Sequence, residues 1–250
     1  MKTGVLLFAF NNDQINYLKL AEWSAKNIQR HLECPVSLVT DVAYNSTHFE
    51  SIIRVDRPKS DTQRYFSDIN AKVSWFNGNR SDAYTLSPYD HTIVLDVDYV
   101  VASNQLTLLK HLSHNFLCHR HAYDVTALND FESLNKFGIC NMPTAWATVM
   151  SFKKSKEAEL IFSAMQMIKQ NYSHYKNLYQ IDSPKFRNDY ALSVALNIVN
   201  GHVLTNIKYL PWKLATVTPE HTVSAIDQDH YTVYFKNQNK DRRIEIKNMD

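Results

Sequence analysis

The chain has 250 residues, 44% of them hydrophobic and 12% aromatic, with 27 Lys and Arg against 25 Asp and Glu for a formal charge of +2. That length suits one large domain, able to bury about three quarters of its unfolded surface, and the near-neutral balance does not imply a broadly basic nucleic-acid-binding face. Only 4 glycines are present, and neither G-x-x-x-x-G-K nor G-x-G-x-x-G occurs, which excludes phosphate loops and dinucleotide fingerprints of those kinds. The cysteines, Cys34, Cys118 and Cys140, are scattered and form no C-x-x-C pair, so neither a disulfide framework nor a zinc knuckle is expected. Apolar runs such as Val5 to Phe10 fall far short of the ~20 residues of a membrane span. The N-terminus carries no hydrophobic segment leading to a small-residue cleavage site. A soluble protein of a reducing compartment, the cytoplasm, is expected.

In chain order, Val5 to Phe10 is an unalternated apolar run, the pattern of a strand covered on both faces in a parallel sheet. Asn11, Asn12 and Asp13 offer a helix cap, and Ile15, Leu18, Ala21, Ala25, Ile28 and Leu32 recur at helical spacing until Pro35. Val36 to Thr40 reads as a second strand ending at Asp41, so the first forty residues form a right-handed βαβ unit. A third strand is expected over Ile52 to Val55, a helix around Ile69 to Phe76 closed by Asn77-Gly78, and a loop from Asp82 to Asp90. The most hydrophobic middle strand, Thr92 to Leu95, runs into Asp96-Val97-Asp98 and is expected to continue through Tyr99 to Val101. Further strands are expected at Phe116 to His121 and Trp146 to Phe152, helices at Lys156 to Tyr172 and Asn188 to Val199, and β-like pieces at His202 to Ile207 and His230 to Phe235. No repeat or linker divides the chain. The expectation is a single α/β domain over residues 1–235 with a polar, solvated tail over 236–250.

The sharpest chemical feature is Leu95-Asp96-Val97-Asp98 at the end of that middle strand. Alternation sends the side chains at 96 and 98 to one face, and ligands of open α/β sheets bind beyond the carboxyl ends of the strands. Two carboxylates that close need a counter-charge, which a hard divalent cation holding a diphosphate supplies. The same pair also reads as two solvated caps at a strand terminus.

Ala71 to Phe76, Ala83-Tyr84 and Tyr89 to Val101, followed by Trp146 to Ser155 and Arg187 to Leu192, resemble GT-A glycosyltransferases of the glycogenin and lipopolysaccharide-galactosyltransferase type in order and pattern over roughly residues 4–215. The chain departs from that family at Val97, where a small residue is usual, and at Pro143 to Trp146, which replaces Asn-x-Gly. Of the C-terminal His-x-x-Gly-x-x-Lys-Pro-Trp signature it keeps only an echo, Leu210-Pro211-Trp212-Lys213.

The resemblance implies a GT-A (Rossmann-like) mixed, mostly parallel sheet flanked by helices. It also implies a metal-dependent hexosyl or pentosyl transfer from a nucleoside-diphosphate sugar, with UDP favoured. Ala9, Phe10 and Asn11 would lie along the nucleoside, Asp41 near the base, and Lys72 by the donor; Asp41 and Lys72 also read as an ordinary strand end and a solvated helix lysine. Asp96 and Asp98 would hold the ribose and a Mn²⁺ or Mg²⁺, with His221 as third ligand among His202, His221 and His230. Asp189 would serve on the acceptor side as base or positioning group, and reads equally as a helix N-cap. The acceptor is open between a glycan, a lipid-linked sugar, a protein and a modified DNA base. Cys118-His119-Arg120-His121 reads as a surface-facing strand edge. Other readings are a haloacid-dehalogenase-type phosphatase with Asp96 as nucleophile, a non-catalytic nucleotide- or sugar-binding module, and a nucleotidyltransferase.

Overall fold

The computed structural model describes residues 1–12, 16–57, 62–66, 71–101, 103–124, 134–216, 222–227, 232–237 and 240–245, with the backbone alone at 62–66, 71–73, 77 and from 222 onward. Its strands are β1 (Thr3–Phe8), β2 (Val36–Thr40), β3 (Ser51–Arg54), β4 (Thr62–Phe66), β5 (Ala71–Trp75), β6 (His91–Leu95), β7 (Phe116–His119), β8 (Ala122–Asp124), β9 (Lys136–Phe137), β10 (Met142–Pro143), β11 (Trp146–Lys153), β12 (Leu214–Thr216), β13 (Thr222–Asp227), β14 (Thr232–Asn237) and β15 (Lys240–Glu245). Its helices are α1 (Tyr17–Leu32), α2 (Ala83–Leu86), α3 (Lys156–Gln170), α4 (Tyr172–Leu178) and α5 (Asn188–Val199).

Six strands form the central sheet in the order β3-β2-β1-β6-β11-β7. The first four are parallel, and β11 runs antiparallel to both β6 and β7. The run in β1 lacks alternation because both faces are covered. Val5 and Leu7 point into one cluster with Ala21, Ile28 and Leu38, while Leu6 and Phe8 point into another with Phe152, Phe162 and Leu192. α1 covers the first face, and α3 and α5 pack together over the second. The result is a single α/β domain with a mixed, mostly parallel sheet, as the sequence leads one to expect.

Several local expectations are corrected. Residues 71–75, expected in a lysine-bearing helix, form strand β5 paired antiparallel with β4 in the register Thr62↔Trp75, Arg64↔Val73. Val and Trp favour a pleated strand, and pairing with a partner outside the window overrides a weak helical signal. The expected loop after Asp82 instead holds helix α2, entered through a 3₁₀ turn over Asn77–Asp82. β6 stops at Leu95, and Tyr99 N–H donates to Asp96 O (3.1 Å), so Tyr99 to Val101 are buried loop rather than strand.

The capping of α1 comes from Asn16, whose side chain accepts from Lys19 N–H, while Asp13 lies outside the described residues. The expected helix to Tyr172 breaks at Asn171 into α3 and α4, and His202 to Ile207 contains a 3₁₀ turn instead of a strand. Part of the expected polar tail is strand, in β14 and β15. His119 is fully buried rather than facing solvent, its Nδ1 hydrogen-bonded to Trp212 O (3.1 Å).

Candidate active site

A cleft lies at the carboxyl ends of β1 and β6, where open α/β sheets bind ligands. Phe8 and Phe10 reach it from the end of β1, Trp75 and Phe76 from the exit of β5, and Arg80 from the following 3₁₀ turn. Asp96 and Asp98 arrive from the turn after β6, Trp146 and Thr148 from the start of β11, and Arg187 to Asp189 from the start of α5. The lining is therefore part aromatic and part charged.

The charged side is organised by an irregularity in β11. Its register with β7 slips between Trp146 and Met150, so Ala147 is withdrawn from the ladder. Its two peptide groups then serve side chains instead. Ala147 N–H donates to Asp189 Oδ1 (2.9 Å), and Ala147 O accepts from Arg80 Nη1 (2.6 Å). Thr148 O accepts the N–H of Asp96 (3.0 Å). Ser193 on α5 completes the link, accepting from Ala145 N–H (2.7 Å) and donating to Asp189 O (2.6 Å). A short stretch around one bulged strand thus fixes the positions of Arg80, Asp96 and Asp189, which are far apart in the chain.

Two guanidiniums neutralise two of the three carboxylates. Arg80, itself buried, pairs with Asp96. Arg187 reaches Asp189 Oδ2 through Nη2 (2.8 Å) and Nε (3.2 Å), and the adjacent carboxylate holds the guanidinium above its already high ordinary pKa. Asp98 is exposed, and its carboxylate engages no neighbour among the described residues. These five groups sum to one negative charge.

For a divalent cation the donors are chemically apt: two hard carboxylates that face one cleft, with Asp98 open to solvent. Among the described residues no third His, Cys, Asp or Glu joins them in a metal-binding group, and His221 lies outside the described residues.

Of the residues singled out from the sequence, Phe10, Asp96, Asp98 and Asp189 line the cleft. Ala9 is buried beneath it, its N–H bonded to Val39 O (3.0 Å). Asn11 faces α1, where its side chain accepts from Leu18 N–H (3.0 Å); the neighbouring Asn12 lines the cleft instead. Asp41 does not line it. Its buried carboxylate accepts from Arg57, whose guanidinium also donates to Asn11 O (2.9 Å) and lies 4.7 Å over the Phe76 ring. Lys72 sits on β5, paired in register with Tyr65. Asp189 is not the N-cap of α5; Arg187 holds that position, and both Asp189 oxygens are engaged, which suits a positioning group better than a base. Arg80, Arg187 and Trp146 line the cleft without being singled out in sequence as site residues; Trp146 and Arg187 enter there only as the first residues of two segments that carry the resemblance.

No family model and no curated protein sequence matches the chain. Among solved structures, the galactosyltransferase LgtC in complex with donor and acceptor sugar analogs aligns with a TM-score of 0.52 at 12% identity, over 82% of this chain and 72% of LgtC. An active-site mutant of LgtC aligns at 0.53 and 13% identity with the same coverage. The glycosyltransferase GlyE of Streptococcus pneumoniae TIGR4 aligns at 0.48 and 12%, and the chain spans 45% of its length. At these identities the likeness is one of fold, and that fold is the GT-A type.

Proposed function

We propose that the chain is a metal-dependent glycosyltransferase that moves a sugar from a nucleoside-diphosphate sugar, UDP-linked by preference, to an acceptor. The observation that carries this reading is the convergence of Asp96, Asp98, Arg80 and Arg187 on one aromatic-walled cleft at the carboxyl end of a GT-A sheet. Phe10, Trp75 and Phe76 offer flat apolar surface for a base. Asp96 and Asp98 would hold Mn²⁺ or Mg²⁺. When bound, that ion supplies Lewis-acid stabilisation of the departing nucleoside diphosphate. Arg187, held by Asp189, presents a second cation to the anionic donor.

The acceptor would enter past α5; a glycan, a lipid-linked sugar, a protein and a modified DNA base all fit the reading. A phosphatase that uses Asp96 as nucleophile fits less well, because Arg80 already neutralises that carboxylate.

The test is thermal shift against UDP, GDP, CDP and ADP, each with Mn²⁺ or EDTA. A ligand at a hundred times its dissociation constant stabilises by about 2.7 kcal/mol. The expected result is a Mn²⁺-dependent shift with UDP that Asp98→Asn abolishes while leaving the unliganded midpoint unchanged. No shift with any nucleotide, or one indifferent to Asp98→Asn, overturns the reading.

A further inference from the structure

Three turns meet beside the cleft and carry side chains that the transfer reaction does not use. Ile139 N–H donates to Gln180 O (3.1 Å), and Cys140 Sγ contacts Gln180 Oε1 (3.2 Å), which joins the turn between β9 and β10 to the turn after α4. Tyr179 stacks on His202 (ring centroids 6.2 Å, planes 21° apart), which joins the turn after α5 to the turn after α4. Gly138, Asn141, Gln180, Gly201 and His202 all have positive φ, so these are tight, defined turns.

Four large apolar side chains stand out from this junction: Ile139 at 73% exposure, Leu178 at 61%, Val203 at 47% and Leu204 at 39%. Scattered single apolar residues are ordinary on a surface, but four gathered on touching turns are not. Beside them are the rings of Tyr175 and Tyr179, themselves stacked (6.4 Å, 24°). Lys176, Lys185 and Lys208 belong to the same segments, in which Asp182 is the one carboxylate among the described residues. The face is continuous with the cleft: Phe137 packs on Tyr190 (4.6 Å), and Arg187, which lines the cleft, lies 5.5 Å over the Tyr190 ring.

We infer that this face docks the protein on an anionic lipid surface. The composition matches that environment: aliphatic tips to enter the acyl boundary, tyrosines with an apolar body and a polar end, and lysines that reach phosphate headgroups. The net charge of the patch is complementary to anionic lipid and gives a neutral bilayer little to attract. Docked in this way, the cleft opens beside the headgroups, within reach of a lipid-linked acceptor. That last consequence rests on the transferase reading; the docking does not.

The experiment is flotation of the full chain with vesicles of phosphatidylcholine alone, and of phosphatidylcholine with one third phosphatidylglycerol. Binding is expected to the anionic vesicles only. Lys176→Gln, Lys185→Gln and Lys208→Gln combined should lower partitioning about a hundredfold, at about fivefold per lysine. Leu178→Ser with Val203→Ser should lower it as well, with an unchanged thermal midpoint in every variant. The inference is overturned if wild type floats with neither vesicle, or if the triple-lysine variant floats as well as wild type. It is also overturned if loss follows only from neutralising Arg242 and Arg243, or if the chain dimerises and Leu178→Ser dissolves the dimer, since the face then binds a second copy. UDP-dependent thermal shift of the triple variant is expected to equal that of wild type; vesicle binding without any nucleotide shift leaves docking intact and removes the transferase reading alone.

Discussion

Replacing Asp189 separates the two tasks that its carboxylate performs. The side chain is 14% exposed, with Oδ1 on the N–H of fully buried Ala147 and Oδ2 on Arg187. Asp189→Ala leaves that buried N–H without an acceptor, which costs about 1–3 kcal/mol. The lost ion pair adds only about 0.5 kcal/mol, because Arg187 is 42% exposed and screened by solvent. The total of about 1.5–3.5 kcal/mol lowers the melting temperature by about 3–14 °C in a chain of this length. Asp189→Asn keeps an acceptor for Ala147 and loses only the charge, so its melting temperature stays within about 2 °C of wild type. Scanning calorimetry of the three proteins at neutral pH reads the difference. If Ala and Asn variants fall equally, the ion pair rather than the backbone bond holds the site. If neither falls, the Ala147 junction does not stabilise the start of α5, and the bulge does not organise the charged side of the cleft.

Burial pushes His91 and His119 down to about 4, so both are neutral in the native state near neutral pH. Their folded values lie below the ordinary value of about 6.5. As pH falls from about 6.5 towards 4 the unfolded chain therefore takes up protons that the native state refuses, and stability is lost across that window, by about 2–3 kcal/mol per histidine. Urea unfolding at pH 7 and pH 4.5 should show a gap that narrows in His91→Gln and His119→Gln; an unchanged gap would assign the acid sensitivity elsewhere. Gly4 sits against the buried Tyr89 ring, and a Cβ there would collide with the ring. Gly4→Ala should therefore destabilise by about 1–3 kcal/mol through overpacking, despite the smaller entropic gain of losing a glycine; a variant that melts at or above wild type would contradict the packing of β1 on Tyr89.

How much was legible in the sequence depends on where each determinant lies. The doubly covered β1 announces itself because burial on both faces erases alternation within the strand. Asp96 and Asp98 are legible for a similar reason: a hydrophobic run that stops at carboxylates marks a strand end. β5 reads as helix because Ile69 to Phe76 is too short a window to separate period two from a helical turn, and the pairing that decides it comes from Thr62–Phe66. His119 reads as polar and exposed in its own segment, and is buried by Trp212, which is 93 residues away. Arg80 gives no local sign at all; its partners, Ala147 O and Asp96, are supplied by a later strand and by the turn after the central one.

The charge balance of the cleft bears on the metal in the proposed function. Asp96, Asp98 and Asp189 against Arg80 and Arg187 leave one negative charge in the site, and a nucleoside diphosphate brings at least two more. Like charges gathered in a partly dehydrated cleft repel strongly, so the site as built does not attract that ligand by its own electrostatics. In the proposed reaction, a divalent cation held by Asp98 and Asp96 would reverse the local sign, and Arg187 would add a second positive charge for the donor. Swinging Arg80 away from Asp96 cannot substitute for the cation. Arg80 would have to give up the bond to Ala147 O in a buried setting, and that bond also fixes the bulge on which Asp189 depends. The bulge therefore ties Arg80 to structure, and in the proposed reaction most of the positive charge needed at the phosphates would fall to the ion.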